Sequence, residues 1–460
     1  MLVTNLESAS NAKRKRSESS GISPARLTAF RILKRVEDEG AYASVLLANQ
    51  DDSLSAKDRA LAHELTMGVL RWQLTLDHLI AHYANRDSRR LDLAARISLR
   101  LGLYQLRFLT RIPASAAVND AVKLVQFARI RSADKFVNAV LRRAIRESEY
   151  DPISVVSDPL ERLAVETSHP RWLIERWVDN FGLEEATAFA RANNEAAPIS
   201  FRISGRNTDR NEVLEQLRTA GASLTPSGVA NDAWRISGGT TLLRRLAREG
   251  RVYLQDEASQ LVAHALAPQA GEHVLDLCAA PGGKTTHLAA VANGEATVIA
   301  GDLYQHRLRT VVDAVRSQQV NGVHCLVLDG EQGLPFAEAG FDRVLVDAPC
   351  SGTGTLRRNP EIRWRISAAD IKQLAGRQRN LLFNGAKAVK PGGRLVYSTC
   401  SVETEEDEEV IEAWLHSHPP FDRIQLPLHS ELITESGAVR TWPHGQGTDG
   451  FFIAGFERKS

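Results

Sequence analysis

Residues 273–284 read His-Val-Leu-Asp-Leu-Cys-Ala-Ala-Pro-Gly-Gly-Lys, and this stretch decides the fold. Val274, Leu275 and Leu277 form an apolar run carrying one acid, Asp276, and the run breaks at a turn holding Pro281, Gly282 and Gly283. Thr285 and Thr286 then lead into Leu288, Ala289, Val291 and Ala292, which are spaced for a helix. Strand, glycine turn and helix in that order open a parallel α/β sheet. The glycines are expected to let the backbone approach a ligand closely.

Downstream the alternation continues. Strand-like runs cover 273–277, 297–300, 324–328, 343–346 and 394–397, with helical patterns such as 304–317 and 368–389 between them. Residues 438–441 and 451–456, separated by Gly445, Gly447 and Gly450, read as a closing hairpin. The five strand-like runs end in Asp276, Asp302, Asp329, the sequence Asp347-Ala348-Pro349-Cys350, and Ser398-Thr399-Cys400. One acid after a strand is commonplace, but ligands of open parallel sheets bind beyond the carboxyl ends of the strands. A reactive group at the end of every run therefore marks a site.

Two phosphate-binding patterns fail at the turn. Gly283-Lys284-Thr285 closes a GxxxxGK[ST] loop, but Cys278 stands where its first glycine belongs. The dinucleotide fingerprint GxGxxG fails because the turn reads Cys-Ala-Ala-Pro-Gly-Gly. Asp302, about 20 residues past the turn, suits a ribose diol, and Asp329 can accept from an adenine amino group. An adenosine ligand is expected, without a demand for phosphates.

The cysteines are Cys278, Cys325, Cys350 and Cys400, and no C-x-x-C pair suggests zinc, so no metal site is expected. Cys278 and Cys325 read as buried structural residues. Cys350 and Cys400 would face one crevice if their strands are neighbours, and with Asp347 they suggest covalent chemistry on an electrophilic ring. The alternative for the pair is a disulfide, and the residues alone do not say which thiol attacks.

Upstream, residues 23–148 show helical patterns and no convincing strand. Ser23-Pro24 reads as a helix start, Ser55 with Asp58 as a capping box, and 91–109 and 119–146 as further helices. Arg86, Arg89, Arg90, Arg96 and Arg100 cluster, as do Arg129, Arg131, Lys135, Arg142, Arg143 and Arg146. Either set is a solvated helix surface or a phosphate-contacting face. Asp151-Pro152 and Asp158-Pro159 bracket a linker, 168–193 reads helical, and the alternation of Ile199, Phe201 and Ile203 opens a small α+β module ending near Gly250. The expected architecture is a disordered basic tail over 1–22 carrying Lys13–Arg16, an all-α domain over 23–150, an α+β module over 165–255 and an α/β domain over 256–460. With 57 basic and 56 acidic residues in 460, the net charge of +1 makes any polyanion-binding surface a matter of local clustering. Without a signal peptide or a membrane-length apolar run, the chain reads as soluble and cytoplasmic.

Longer motifs add a resemblance. Leu-Asp-Leu-Cys-Ala-Ala-Pro-Gly-Gly-Lys-Thr at 275–285, Val-Asp-Ala-Pro-Cys-Ser-Gly-Thr-Gly at 346–354 and Val-Tyr-Ser-Thr-Cys-Ser at 396–401 resemble the S-adenosylmethionine-dependent RNA cytosine-C5 methyltransferases. Residues 250–260 and the ending Thr-Asp-Gly-Phe-Phe-Ile-Ala at 448–454 are similar to the same family, while Ser204 stands where it often has asparagine. The helical front, with 58–72 and 101–122, is similar to the NusB-like RNA-binding domain, a pairing found in bacterial 16S ribosomal RNA methyltransferase B proteins. The resemblance implies a Rossmann-like catalytic domain and an S-adenosylmethionine site lined by Cys278, Ala279, Ala280, Pro281, Gly282, Gly283, Lys284, Asp302, Asp329 and Asp347. It makes Cys400 the nucleophile, Cys350 the residue that assists release of the methylated base, and 16S ribosomal RNA the partner of a monomeric enzyme. Arg357, Arg358, Arg363 and Trp364 are then expected to contact RNA, and Lys284 to supply a positive field for Cys400. The rivals are an NTPase imitating Gly-Lys-Thr and an RNA-assembly factor without activity.

Overall fold

The computed structural model describes residues 21–50, 54–130, 132–205, 208–417 and 420–460. The basic run Lys13–Arg16 and Arg131 lie outside them. The chain forms two compact units, one comprising the described residues up to Glu195 together with Arg357–Trp364, the other the remainder.

The first unit is helical, as expected of the front domain. Its helices are α1 (Pro24–Glu39), α2 (Ala43–Ala48), α3 (Ala56–Arg71), α4 (Gln73–Ala84), α5 (Leu93–Phe108), α6 (Ala114–Phe127), α7 (Asp134–Arg146), α8 (Pro159–Thr167), α9 (Arg171–Phe181) and α10 (Leu183–Ala192). The sequence signals act where they stand: Pro24 opens α1 after Ser23, Gly40 closes it at φ 67°, and the Ser55 hydroxyl accepts from the Asp58 amide. Phe30, Leu33, Leu65, Leu76, Leu99 and Leu141 pack one core. The pattern over 119–146 is not one helix but two, α6 and α7, because the chain turns between them with Arg129 at φ 63°. Gly182 at φ 81° likewise divides the helical stretch over 168–193.

Two expectations about basic residues are corrected here. Arg100 is buried and spans Glu37 and Asp77 at 2.6 and 2.7 Å, Arg96 pairs with Glu37 at 2.8 Å, and Arg89 with Asp87 at 2.7 Å. Acids thus neutralise Arg89, Arg96 and Arg100 of the first cluster, the last two through Glu37 and Asp77, which lie more than 20 residues away where no local reading could show the pairing. Arg363, expected to meet RNA, is fully buried in this unit, as is Arg357 at 3% exposure. The Arg363 guanidinium donates to the Ser168 carbonyl at 3.0 Å, the Asn194 side-chain oxygen at 3.0 Å and the Arg71 carbonyl at 3.4 Å. Trp364 Nε1 donates to the Leu70 carbonyl at 3.3 Å. These residues seal helix ends rather than stack on a base.

The second unit holds two sheets. Strands β1 (Ile199–Ile203), β2 (Ser223–Pro226), β3 (Ala233–Ser237) and β4 (Val252–Leu254), with helices α11 (Arg210–Thr219) and α12 (Thr240–Arg248), form the small module, an antiparallel sheet in the order β2-β3-β1-β4. After α13 (Glu257–Leu266) comes the main sheet, β5 (His273–Asp276), α14 (Gly283–Val291), β6 (Thr297–Asp302), α15 (Gln305–Ser317), β7 (Val323–Val327), β8 (Phe341–Asp347), α16 (Ala368–Ala388), β9 (Val389–Thr399), α17 (Glu408–Ser417), β10 (Phe421–Ile424), β11 (Val439–Thr441) and β12 (Phe451–Arg458). Its order is β10-β12-β9-β8-β5-β6-β7, parallel from β9 to β7, with β11 beside β12 in the expected hairpin. Leu275, Val344, Val346, Leu382, Leu395 and Tyr397 fill the core on one side. Cys325, expected to be buried, is exposed, because β7 is the edge strand of the sheet. Among the described residues no helix is long and apolar enough to cross a membrane.

Candidate active site

The register of the sheet brings the strand-end residues together. β8 and β9 are parallel neighbours with Asp347 opposite Ser398. Cys350, three residues past Asp347, and Cys400, two past Ser398, therefore emerge at the same end of adjacent strands. Their Sγ atoms lie 3.3 Å apart, and both are free thiols, so the disulfide alternative is not realised. β5 and β6 deliver the glycine turn and Asp302 to that same end.

One cleft of about 280 Å3 collects most of the expected residues: Cys278, Ala280, Asp302, Asp329, Asp347, Cys350 and Cys400. Leu303, Leu328, Ala348 and Pro349 supply its apolar lining, and Tyr304, Arg307 and Arg377 add groups the sequence reading missed. Arg307 was hidden in a helix that reads as an ordinary solvated one; its Nη2 donates to the Ala280 carbonyl at 3.2 Å, and it lies 3.5 Å from Asp302. Asp302 is buried at the end of β6 and accepts from the Tyr304 amide at 3.1 Å and the Ala280 amide at 3.3 Å. The Asp329 side chain accepts from the Glu331 amide at 3.0 Å. Two carboxylates on the second and third strands, with apolar walls between, match a nucleoside in donor chemistry and size class.

Ala279, Pro281, Gly282, Gly283 and Lys284 do not line that cleft. A Cβ on Gly282 would stand 2.9 Å from the Val311 Cα and one on Gly283 2.7 Å from the Tyr253 ring. The glycines thus permit close packing of the turn against α15 and β4. Asp276 also stays out of the cleft. It is buried beneath the turn, takes a 2.7 Å hydrogen bond from Thr285, and burial pushes its carboxyl up to about 7.

Lys284 points to the reacting end from below. Its Nζ donates to Asp347 at 2.6 Å and lies over the Phe451 ring. Burial pulls the ammonium down, but Asp347, then Cys400 and Asp276, hold it above the ordinary lysine value. In this arrangement the lysine serves a carboxylate of the sheet, and it does not line the cleft. Asp347 accepts from Ser398 Oγ at 2.8 Å on its other oxygen. Cys350 is driven well above the usual thiol range, first by its hydrogen bond to Cys400 and next by burial, with Cys400 and Glu406 adding negative charge nearby. Cys278 is held high by burial.

Away from the cleft, Asp232, His264 and His287 bring ligand-type atoms within 4.8 Å of one another. The buried Arg202 guanidinium nearby, hydrogen-bonded to Thr286 and Gln318 in place of a carboxylate, opposes a cation there.

Comparison with known proteins agrees with this geometry. Residues 263–457 match the model of the 16S rRNA methyltransferase RsmB/F family, 23–146 that of the NusB family and 169–242 that of an RsmF/B-like ferredoxin-like domain. The probable ribosomal RNA small subunit methyltransferase B of Bacillus subtilis is 35% identical over 439 residues, covering 94% of this chain and 98% of that protein. The ribosomal RNA small subunit methyltransferase B of Pseudomonas putida is 36% identical, covering 93% and 97%. The crystal structure of PH0851 superposes with a TM-score of 0.81 at 30% identity over 94% of this chain and 98% of that one. A methyltransferase homologue from Pyrococcus horikoshii, 28% identical, covers 66% of this chain and all of its own at a TM-score of 0.57. The chain belongs to the RsmB/F family of 16S rRNA methyltransferases, whose members are S-adenosylmethionine-dependent enzymes.

Proposed function

We propose that this enzyme methylates C5 of a cytosine in 16S ribosomal RNA through a covalent bond between Cys400 and C6 of the ring. The observation that carries the reading is the pair of thiols 3.3 Å apart at the rim of a nucleoside-sized cleft. Asp302 and Asp329 hold the cofactor's ribose and adenine, with Cys278 to Lys284 shaping the turn beside them. When bound, S-adenosylmethionine supplies an electrophilic methyl group. Cytosine C5 is too electron-poor to take it unaided. Addition of the Cys400 thiolate at C6 forms a C–S bond and moves an electron pair toward C5 and the N3 side of the ring, which makes C5 an enamine-like nucleophile.

Lys284 sets the field for this step. Its ammonium, bonded to Asp347 at 2.6 Å, offsets the negative charge gathering on the ring. Asp347, whose two oxygens already accept from Lys284 and Ser398, acts as an acceptor for the ring's amino group. Once C5 is methylated, a base takes the C5 proton, the electron pair returns and the C–S bond breaks. Cys350, a thiol held in its protonated form, donates to the departing Cys400 sulfur. The base enters from an unpaired loop or by flipping, on free RNA or a partly assembled particle, and the enzyme works as a cytoplasmic monomer.

The test is methyl transfer from labelled S-adenosylmethionine to unmodified small-subunit RNA, followed by digestion to nucleosides. The label is expected in 5-methylcytidine; label in any other nucleoside contradicts the proposal.

A further inference from the structure

Residues 403–409 read Glu-Thr-Glu-Glu-Asp-Glu-Glu, a run that ordinarily faces solvent. In the structure Glu403, Glu406 and Asp407 are fully buried. Asp407 has a cation, Arg440 at 3.1 Å. Glu406 is held by neutral donors instead. Its Oε1 accepts from the Ser351 amide at 2.8 Å and from Gln378 Nε2 at 3.0 Å. Its Oε2 accepts from the Ser401 hydroxyl at 2.5 Å and from the Ser351 hydroxyl.

Ser351 follows Cys350 and Ser401 follows Cys400. The two hydroxyls also meet each other at 3.1 Å. Gln378 Nε2 donates as well to the Pro349 carbonyl at 3.0 Å, on the other side of Cys350. One carboxylate therefore ties together the turns that carry both thiols, working beside the Gly354 amide, which donates to the Cys400 carbonyl at 3.0 Å, and the Val402 amide, which donates to Thr353 Oγ1 at 3.2 Å. A carboxylate buried without a cation is costly to the fold, and here it falls at the one point where two loops must keep sulfur atoms in contact.

We propose that Glu406 is a positioning residue of the reaction, clamping the Cys350 and Cys400 turns so that the two sulfurs stay within reach of each other and of one base. Burial raises the Glu406 carboxyl, and the charge it carries adds, after the Cys400 hydrogen bond and burial, to what keeps Cys350 a proton donor. The inference rests on the two-cysteine chemistry proposed above, but its geometry can be read without RNA.

Full-length Glu406→Ala, Glu406→Gln and Glu406→Asp are compared with wild type. The first readout is the rate at which oxidised glutathione converts Cys350 and Cys400 into a mutual disulfide, releasing two glutathione thiols, followed by peptide mapping. The second is the split between kcat and the KM for S-adenosylmethionine in methyl transfer. Glu406→Ala is expected to slow cross-linking and kcat each at least tenfold, with the cofactor KM within twofold of wild type. Glu406→Gln, which keeps an acceptor at the Ser351 amide while the serine hydroxyls reverse, is expected to stay within about threefold. Glu406→Asp, too short to span both turns, is expected to follow alanine and serves if the alanine variant does not fold. Cross-linking and kcat within twofold of wild type in the alanine and aspartate variants, whatever their melting temperatures, overturn the proposal. Failure of Cys350→Ala to form an RNA adduct would instead count against the two-cysteine chemistry, and the cross-linking rates would still judge the clamp.

Discussion

Asp276 shows how one buried carboxyl shapes the pH response of the whole fold. Its folded-state value of about 7 lies above the ordinary 3.8 because burial disfavours the charge. Between about pH 4 and pH 7 the folded protein therefore keeps a proton that the unfolded chain gives up, and stability falls as pH rises through that window. Asp276→Asn removes the titration and keeps an oxygen for Thr285. Its stability relative to wild type is expected to rise between pH 4 and pH 8 by up to ~4 kcal/mol, since one pKa unit is about 1.4 kcal/mol. Denaturant titrations at the two pH values check this, and parallel curves for both proteins would refute it. At this scale the sequence was legible where a residue's role follows from its position at a strand end: Asp302, Asp329, Asp347, Cys350 and Cys400 all reach one cleft. It was illegible where the role depends on a partner far along the chain. Glu406 sits in an acidic run like any solvated one, and only the fold reveals that Ser351, 55 residues away, is its partner.

At the scale of elements, period and punctuation carried the prediction. The parallel strands, the closing hairpin and the turn at 278–283 all follow from alternation and glycine placement. The break between α6 and α7 did not, because Arg129 takes its left-handed conformation with a side chain that gives no sign of it. The segment Arg357–Trp364 is the larger surprise. Its arginines look like a polyanion contact, but Arg363 satisfies carbonyls at the ends of α3 and α8, and burial pulls its guanidinium down to about 9. Arg363→Ala is expected to cost the helical unit about 2–4 kcal/mol by leaving those oxygens buried without donors. Hydrogen exchange of amides in 164–194 should then accelerate, whereas unchanged protection would show that Arg363 holds nothing in place.

For the molecule as a whole, near-neutral net charge leaves RNA binding to local surfaces, and the paired arginines of the first cluster narrow the candidates. The outer side of α7 is the densest exposed group on the second cluster, with Lys135, Arg142 and Arg146 opposite the buried Val137, Val140, Leu141 and Ala144. Replacing the three with alanine is expected to weaken RNA binding uniformly across sequences and to lower the slope of log Kd against log salt by roughly 2–3, given about 0.7–0.9 per phosphate contact. Cofactor affinity should not change, because the cleft belongs to the sheet unit. An unaltered salt slope would place the RNA surface elsewhere.

The central claim, that Cys400 attacks the base and Cys350 frees it, is tested most directly by adduct formation on unmodified small-subunit RNA with S-adenosylmethionine present. Wild type, Cys350→Ala and Cys400→Ala are compared on denaturing gels, with the cross-linked peptide identified by mass spectrometry. The account predicts a stable adduct through Cys400 in Cys350→Ala, and neither adduct nor methyl transfer in Cys400→Ala. An adduct through Cys350 that accumulates in Cys400→Ala would contradict it and reverse the two roles.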